Sequence, residues 1–205
     1  MIRLDVFSDI ACPWCYVGHR RLARALAGTA DVEVHWRAFA LNPALPPEGK
    51  PVQEHYEAKF GSAEQVEALH ARMREVGETE GIAFDYTGMP RIPNTLPLHA
   101  IVAANVGPRQ TEIVERLFAA YFEAGVDMGD PDAVYAALGP AVERPTGRHK
   151  QQVAQDIELA TRAEIHAVPT FVADGALAMS GAHEPELLRK FLDAARERAA
   201  EAAAA

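Results

Sequence analysis

The spacing of hydrophobic and polar residues changes twice along the chain. At the start, residues 2–7 and 31–39 alternate apolar with polar positions, which predicts two β-strands. Between them, apolar residues recur at helical intervals from Pro13, which suits a first helical position, and Gly28 is a typical stop signal. A strand, a helix and a second strand in this order predict a parallel pair.

The middle of the chain, from about residue 51 to 165, has a mainly helical pattern. A proline-rich stretch, residues 40–51, separates it from the first part. Three groups of apolar residues follow the intervals of three and four that place side chains on one helical face: Val66/Leu69/Met73/Val76, Ile113/Leu117/Tyr121 and Val153/Ile157/Ala160. Residues 82–86 fit a short extended piece.

The last part returns to strand-like spacing. Two short apolar runs flank Asp174-Gly175, which is a strong signal for a β-hairpin. Residues 184–200 carry one apolar stripe, as expected of a closing helix, and we expect residues 201–205 to be frayed.

Together the three parts predict an α/β fold. The order is β-α-β, a helical block, then β-β-α, and the four strands form one sheet that is first parallel and then antiparallel. Residues 1–44 and 166–205 belong to the outer domain, and residues 45–165 form an inserted, all-helical domain.

Composition and charge narrow the class of protein. The chain has 205 residues, of which 49% are hydrophobic and 24% charged, so it can bury a core without disulfide staples. Its net charge is −9 and its pI about 5.4, which opposes binding to phosphate backbones and to anionic bilayers. We therefore expect no nucleic-acid partner and no membrane partner.

The start of the chain and its cysteine content bear on location. The first residues carry neither a basic nor a long apolar leader, and no stretch approaches the roughly 18 apolar residues of a membrane span. Only two cysteines occur, whereas a secreted chain of this size often uses several as staples. We expect the protein to begin at Met1 and to act in the cytoplasm.

The two cysteines, Cys12 and Cys15, form a C-x-x-C motif directly after the first strand. Cys12 precedes the helix that begins at Pro13, and the unpaired N–H groups and the dipole of a helix N-terminus stabilise an anion. We therefore expect Cys12 to act as the thiolate nucleophile. Cys15, on the same helical face, is expected to attack the resulting mixed disulfide. This motif in a βαβ unit is typical of a redox site.

Two other uses of the cysteine pair are a zinc site and an inert place in the core. Zinc usually takes four ligands, yet no further cysteine is present and the eight histidines never occur as H-x-x-x-H. We expect no metal. Inert core cysteines need no particular place between a strand and a helix, which disfavours that interpretation.

Pro169 is a second, distant signal. A proline that opens a strand can simply mark the edge of a sheet. Here it lies before the predicted hairpin and closing helix, in a chain that has C-x-x-C after its first strand. This combination makes Pro169 a candidate for the redox site.

Five motifs make the chain resemble the DsbA-like thioredoxin-fold oxidoreductases, and among them the FrnE-type cytoplasmic branch: SDIACPWCYVG, AFALNP, PNTLPLH, AVPTFV and AMSGAHEPE. They extend from Ser8 to Glu186. The resemblance implies a thioredoxin-like fold with an inserted helical domain. It also implies a cis bond between Val168 and Pro169 that faces the cysteines, so that Val168 pairs with the backbone of a substrate chain.

The chain departs from these relatives at positions that bear on its chemistry. Trp14 lies between the cysteines where the periplasmic DsbA type has histidine, which affects the redox potential, and we expect its indole to offer an aromatic face to substrates. Val6 lies where thioredoxin has a buried acid. Asp9 either replaces that acid as a proton relay or caps the turn before Cys12.

Glutathione-dependent relatives, the kappa-class glutathione transferases and the 2-hydroxychromene-2-carboxylate isomerases, are similar in two further places. The loop before the last helix either binds a carboxylate or acts as an ordinary cap: Ser180, Gly181 and Ala182. Three residues of the helical block either reach the cleft or serve as a cap and a core or surface histidine: Asn94, Thr95 and His99. Serine usually occupies the position of Cys12 in those enzymes, so two cysteines favour dithiol chemistry.

The sequence thus predicts a protein thiol–disulfide oxidoreductase that reduces or isomerises disulfides, with Val168 and Pro169 docking the substrate. Expected partners are a disulfide-containing protein or a small thiol substrate, and a thiol reductant such as glutathione or the thioredoxin system. No metal or organic cofactor is expected, and glutathione is the one candidate co-substrate. We expect the helical block to fold over the cysteines and shape a cleft. The alternatives are a glutathione-linked transferase or isomerase and a non-catalytic, chaperone-like binding module.

Overall fold

The computed structural model describes residues 1–204, and Ala205 lies outside the described residues. Strands and helices follow one another in this part of the chain as β1 (Ile2–Ser8), α1 (Pro13–Ala25), β2 (Val32–Ala38), β3 (Lys50–Pro51), α2 (Val52–Phe60), α3 (Ala63–Glu80), β4 (Arg91–Ile92), α4 (Leu96–Ala104), α5 (Pro108–Phe122), α6 (Pro131–Leu138), α7 (Gly147–Arg162), β5 (Thr170–Ala173), β6 (Leu177–Ser180) and α8 (Pro185–Ala204). No helix within residues 1–204 is both long enough and apolar enough to cross a bilayer.

A four-stranded sheet has the strand order β2-β1-β5-β6. β1 runs parallel to β2, with Ile2 opposite Val32, and antiparallel to β5, with Val6 opposite Phe171. β5 and β6 form the hairpin that Asp174-Gly175 predicts. The α/β fold, with a sheet that is first parallel and then antiparallel, is confirmed.

Helix α1 is enclosed by its neighbours α3, α5 and α8. Its residues Tyr16, Val17 and Gly18 are buried, and the ring of Tyr16 stacks on Phe118 with 5.1 Å between centroids. Gly18 permits the closest approach, because a Cβ atom there would lie 2.8 Å from Cγ of Pro169. The helix that begins with the cysteine pair is therefore held directly against the loop that contains Pro169.

Glu80, the last residue of α3, ties the helical block to α1. Its buried carboxylate pairs with Arg24 and with Arg21, at 2.7 Å between Nε and Oε1. Arg21 also donates to the carbonyl oxygen of Ala182 at 2.7 Å and pairs with Glu184 at 2.6 Å. One guanidinium thus joins α1, α3 and the segment before α8. Because the carboxylate is buried, removal of its partners would leave an uncompensated charge.

The segment between β2 and β5 is mainly helical, and one hydrophobic core joins it to the sheet. α4 and α7 pack on β2, and α2 packs on α3. Within this segment β3 pairs with β4, with Lys50 opposite Ile92. The sequence pattern does not predict this pairing, because strands of two residues show no alternation. The domain bounds at residues 45 and 165 stay a prediction.

Three local features can be compared with their expectations. α8 continues through Ala204, so the prediction that residues 201–204 are frayed is wrong. Alanine has the highest helix propensity and prolongs the helix. α1 ends at Ala25, three residues before Gly28, which adopts a left-handed conformation with φ of 78°. Residues 82–86 form neither a helix nor a strand.

Gly18→Ala should destabilise the protein, although alanine is the better helix former by about 1 kcal/mol. The new methyl group would lie 2.8 Å from the Pro169 ring, and overpacking of this kind costs about 1–3 kcal/mol. We expect the free energy of unfolding, measured by urea denaturation, to fall by about 1 kcal/mol. Gly147→Ala is the matched control, because a Cβ atom at this helical position meets nothing within 4 Å. An equal change in both variants would contradict the packing argument.

Candidate active site

Cys12 occupies the N-cap position of α1. Its backbone is extended, with φ of −99° and ψ of 113°, and Pro13 is the first helical residue. The Cys12 N–H donates to the Asp9 carbonyl at 3.0 Å, and the Cys12 carbonyl accepts from the N–H of Cys15 at 3.0 Å. The turn before the helix and the first helical turn therefore meet at Cys12, which places its sulfur at the positive end of the helix dipole.

The two thiols lie in different surroundings. Both are free, but Cys12 lines a pocket, whereas Cys15 is 1% exposed and lies behind it. Burial raises the pKa of the Cys15 thiol well above its ordinary value, and the neighbouring Cys12 raises it further. Cys15 therefore keeps its proton at neutral pH, while Cys12 is the sulfur that lies at the pocket.

The loop before β5 faces Cys12. The bond between Val168 and Pro169 is cis, as the resemblance implies. The Cys12 thiol donates to the Val168 carbonyl oxygen, with 3.8 Å between the sulfur and the oxygen. The Pro169 carbonyl accepts from the N–H of Gly181 at 2.8 Å, which attaches this loop to the end of the hairpin.

A pocket of about 370 Å³ opens beside Cys12. Trp14 forms part of its wall on the α1 side and is 38% exposed. On the opposite side, α2 and α3 contribute nine residues to the lining: His55, Tyr56, Lys59, Phe60, Val66, Leu69, His70, Arg72 and Met73. The helical block therefore folds over the cysteine face and shapes a cleft, as expected from the sequence.

Three aromatic residues of this wall are not identified by the sequence analysis. The rings of His70 and Tyr86 stack at 3.9 Å with an interplanar angle of 1°, and Tyr56 meets His70 edge-on at 5.1 Å. Burial, with a smaller contribution from Cys12, raises the pKa of Tyr56 to about 12, so its hydroxyl stays protonated. The apolar stripe on α3 and the short extended piece of residues 82–86 are the sequence signals near this wall, and neither reveals which aromatic rings come together.

The Asp9 carboxylate accepts hydrogen bonds from backbone N–H groups around the site. One carboxylate oxygen accepts from the N–H of Ala11 at 3.1 Å, and the other accepts from the N–H of Leu41 at 2.6 Å. The Asp9 side chain is buried, and His99 Nε2 lies 3.8 Å from it. Of the two roles considered for Asp9, this geometry favours the cap over the proton relay.

The candidate residues from the helical block contact the backbone of neighbouring loops. Asn94 donates to the Leu45 carbonyl at 2.8 Å, Thr95 is the N-cap residue of α4, and His99 Nε2 lies 3.0 Å from the Phe39 carbonyl. As far as the structure describes the chain, the lining of the Cys12 pocket includes neither Asn94, nor Thr95, nor His99.

The segment before α8 is hydrogen-bonded to the loop that contains Pro169. The Thr170 hydroxyl lies 2.9 Å from the Ser180 hydroxyl, and the Gly181 N–H binds the Pro169 carbonyl. The Ala182 carbonyl is held by Arg21. Ser180, Gly181 and Ala182 likewise lie outside the lining of the Cys12 pocket within residues 1–204. In the same range, no three His, Cys, Asp or Glu side chains are grouped closely enough to hold a metal ion.

Comparison with known sequences identifies relatives of the chain. The model of the family described as "DSBA-like thioredoxin domain" matches residues 3–193. The uncharacterized protein YwbO of Bacillus subtilis (strain 168) is 26% identical over 182 residues, which are 83% of this chain and 86% of YwbO.

Solved structures share the fold. A probable DsbA oxidoreductase from Streptomyces coelicolor is 26% identical with a TM-score of 0.75, and the match covers 96% of this chain and 91% of that chain. The cytosolic disulfide reductase DsbM from Pseudomonas aeruginosa is 16% identical with a TM-score of 0.62, and the match covers 94% of this chain and 98% of that chain. DsbM has also been solved with GSH. At this lower identity, the likeness to DsbM concerns the fold alone.

The raised pKa of Cys15 predicts a loss of stability at alkaline pH. The unfolded chain loses the thiol proton near about pH 8.5, whereas the folded protein keeps it, so stability falls above that pH by up to about 1.4 kcal/mol per pH unit. In urea denaturation with a reductant present, the free energy of unfolding of the wild type relative to Cys15→Ala should be constant at neutral pH and should decrease above about pH 8.5. A difference in the free energy of unfolding between the two proteins that is independent of pH would contradict this expectation. The buried tyrosines also titrate at alkaline pH, but they are common to both proteins, so their contributions cancel in the difference.

Proposed function

The chain belongs to the family of DSBA-like thioredoxin domains, and on this basis we propose that it is a thiol–disulfide oxidoreductase that works through its Cys-Pro-Trp-Cys dithiol. The observation that carries the proposal is the asymmetry of the two thiols. Cys12 begins a helix and lines the pocket, whereas Cys15 is enclosed and holds its proton. Such a pair suits an attack by one sulfur followed by an attack by the other.

In the first step, the Cys12 thiolate attacks one sulfur of a substrate disulfide. A bond forms between Cys12 and that sulfur, the substrate S–S bond breaks, and the second substrate sulfur leaves as a thiolate that takes a proton from water. In the second step, Cys15 attacks the Cys12 sulfur. The Cys12–Cys15 disulfide forms, and the first substrate sulfur leaves with the proton that Cys15 gives up. The substrate gains two electrons, which a thiol reductant such as glutathione or the thioredoxin system returns to the protein.

Val168 and Pro169 dock the substrate in this proposal. The Val168 carbonyl is directed at the Cys12 sulfur, so a substrate backbone paired with Val168 would place its disulfide beside the thiolate. The FrnE-type motifs and the low cysteine content favour a cytoplasmic location. In a reducing cytoplasm the resting form is the dithiol, and the reaction is reduction or isomerisation of disulfides without a metal or organic cofactor.

A glutathione-linked transferase or isomerase is the second candidate. DsbM, which shares the fold, has been solved with GSH, and this observation favours a glutathione site in the present chain. The loop of Ser180–Ala182 lies beside Pro169 and could hold a glutathione carboxylate. Two cysteines nevertheless favour dithiol exchange, with glutathione as the reductant. A chaperone-like binding module is disfavoured because binding alone needs no thiolate pair.

Substitution of each cysteine in turn tests the assigned roles. Cys12→Ser should abolish reduction of insulin and of hydroxyethyl disulfide, because the remaining thiol is enclosed. Cys15→Ser should instead accumulate a covalent adduct on Cys12, because the mixed disulfide is no longer resolved. Assays of disulfide reduction measure the first effect. Mass spectrometry of intact protein and of peptides measures the adduct and locates it. Adducts that form on Cys15 in the Cys12→Ser protein at the same rate would overturn the assignment.

Trp14→His should make the Cys12/Cys15 dithiol–disulfide couple more oxidising. A histidine beside Cys12 can donate a charge-assisted hydrogen bond to the thiolate, worth about 1.5–3 kcal/mol in favour of the reduced form. For a two-electron couple, about 30 mV corresponds to ~1.4 kcal/mol, so the potential should rise by some tens of millivolts. Titration in glutathione buffers measures it. Trp14→Phe, which keeps an aromatic ring without this donor, is the control; equal potentials in Trp14→His and Trp14→Phe would show that the helix terminus alone sets the couple.

A further inference from the structure

Exposed apolar side chains are concentrated at the Cys12 pocket. Within residues 1–204, eight large hydrophobic side chains are exposed, and four of them line this pocket: Trp14, Leu41, Phe60 and Leu69. Single exposed apolar residues are ordinary on a protein surface, but four around one cavity provide a surface for an apolar ligand.

The charge of the pocket is opposite to that of the chain. The chain has 29 acidic and 20 basic residues, yet within residues 1–204 the pocket lining contains no Asp or Glu. Lys59 and Arg72 do line it, and neither of them forms an ion pair with another residue of the described chain; the Lys59 ammonium lies 5.4 Å from the centroid of the Phe60 ring. An acidic protein thus presents two cations without an acidic partner in the same pocket as Cys12, which favours an anionic ligand.

Tyr86 supplies a hydrogen-bond donor without an acceptor. This residue is 7% exposed and lines the pocket, and its hydroxyl has no partner among the described residues. Burial, with contributions from Tyr56 and Cys12, raises the pKa of Tyr86, so the hydroxyl stays protonated. Buried polar groups are normally paired, and an unpaired donor in a pocket wall indicates an acceptor atom on the ligand.

The dimensions of the site favour a small molecule. Cys12 is only 6% exposed and opens onto a cavity of about 370 Å³, which lies in the range of pockets that enclose small ligands. A disulfide on the surface of a large folded protein would have to enter this cavity to reach the sulfur.

From these four observations we infer that the substrate is a low-molecular-weight disulfide with an aromatic or apolar body and an anionic group. The body packs against Trp14, Phe60 and Leu69, and the anionic group faces Lys59 and Arg72. This inference rests on the proposed function and narrows its substrate class to small molecules, whose disulfide would face the Val168 carbonyl without backbone pairing. The reaction is dithiol exchange. The substrate disulfide takes two electrons and two protons and leaves as two thiols, while the Cys12–Cys15 disulfide forms. A thiol reductant then restores the dithiol.

The test compares two aromatic disulfides of similar size that differ in charge. Dithiobis(nitrobenzoate) carries carboxylates, and dithiodipyridine is neutral near pH 7. The pre-reduced full-length protein is mixed with each disulfide in a stopped-flow instrument, and thiol release gives a second-order rate constant. The ratio of the two rate constants, anionic over neutral, is compared between variants, so that the different intrinsic reactivities of the two disulfides cancel.

Two double variants change the net charge equally. Lys59→Gln/Arg72→Gln removes the two cations of the pocket. Arg148→Gln/Lys150→Gln removes two exposed cations from the start of α7, outside the pocket lining of the described chain. We expect the ratio to fall about 3- to 10-fold in the first variant, as for the loss of two exposed charge contacts, and to stay at the wild-type value in the second.

Tyr86→Phe gives a second readout. It should lower the rate constant for dithiobis(nitrobenzoate) several-fold and leave the melting temperature equal or higher, because a buried, unpaired hydroxyl is removed. A lower melting temperature with an unchanged rate constant would show that the hydroxyl has a structural role only.

The outcomes separate the inference from the proposed function. An anionic-over-neutral ratio that is the same in the wild type and both double variants overturns the anionic substrate class and leaves dithiol exchange standing. Reduction of insulin that is faster than reduction of hydroxyethyl disulfide, which like insulin releases an alkyl thiol, overturns the small-molecule substrate. Failure of the reduced protein to react with every disulfide, hydroxyethyl disulfide included, overturns the proposed function itself and the inference with it.

Discussion

The enclosure of helix α1 is the constraint on which the rest of the structure depends. Tyr16 and Val17 are fully buried, and α3, α5 and α8 pack around the helix. Close-packed interiors transmit a displacement and do not absorb it, so a helix held on several sides cannot rotate about its axis. The helix therefore fixes Cys12 opposite the Val168 carbonyl and keeps Cys15 enclosed. The difference between the two thiols follows from this packing more than from any single contact at the sulfur atoms.

A polar cluster fixes the same helix to α5. His19 Nε2 lies 2.6 Å from one carboxylate oxygen of Glu115, Arg20 lies 2.7 Å from the other, and the Tyr16 hydroxyl binds Glu123. Burial and the bond to Glu123 raise the pKa of Tyr16, so its hydroxyl remains a donor. Polar groups inside an aromatic core accept few alternative arrangements, which makes this cluster a means of fixing the register of α1 against α5. It lies outside the lining of the Cys12 pocket within the described chain, and its role is positioning.

The parts of the fold that local patterns encode could be predicted, and the parts made by distant contacts could not. Alternation identifies β1 and β2, Asp174-Gly175 identifies the hairpin, and the C-x-x-C motif before a proline identifies the helix terminus. The pocket wall combines side chains from α2, α3 and a loop, and only tertiary packing brings these to Cys12. His99 shows the converse, because its sequence context left open whether it reaches the cleft or is a core or surface histidine, and in the fold it contacts loop backbone. One sequence contains no signal that separates these two roles.

No residue of helix α2 is fully buried, although Tyr56 is partly buried and the helix forms part of the pocket wall. It packs on α3 and on the short strands β3 and β4, and it ends at Gly61, whose φ is 98°. The free energy of a local opening follows the buried contacts that the opening breaks, so α2 belongs to the least protected part of the molecule in hydrogen exchange, and α1 to the most protected. We therefore expect Cys12 and the α2 part of the pocket wall to belong to separate cooperative units. Sequence changes in α2 are thus expected to reshape the pocket wall without weakening the fold that holds the two cysteines.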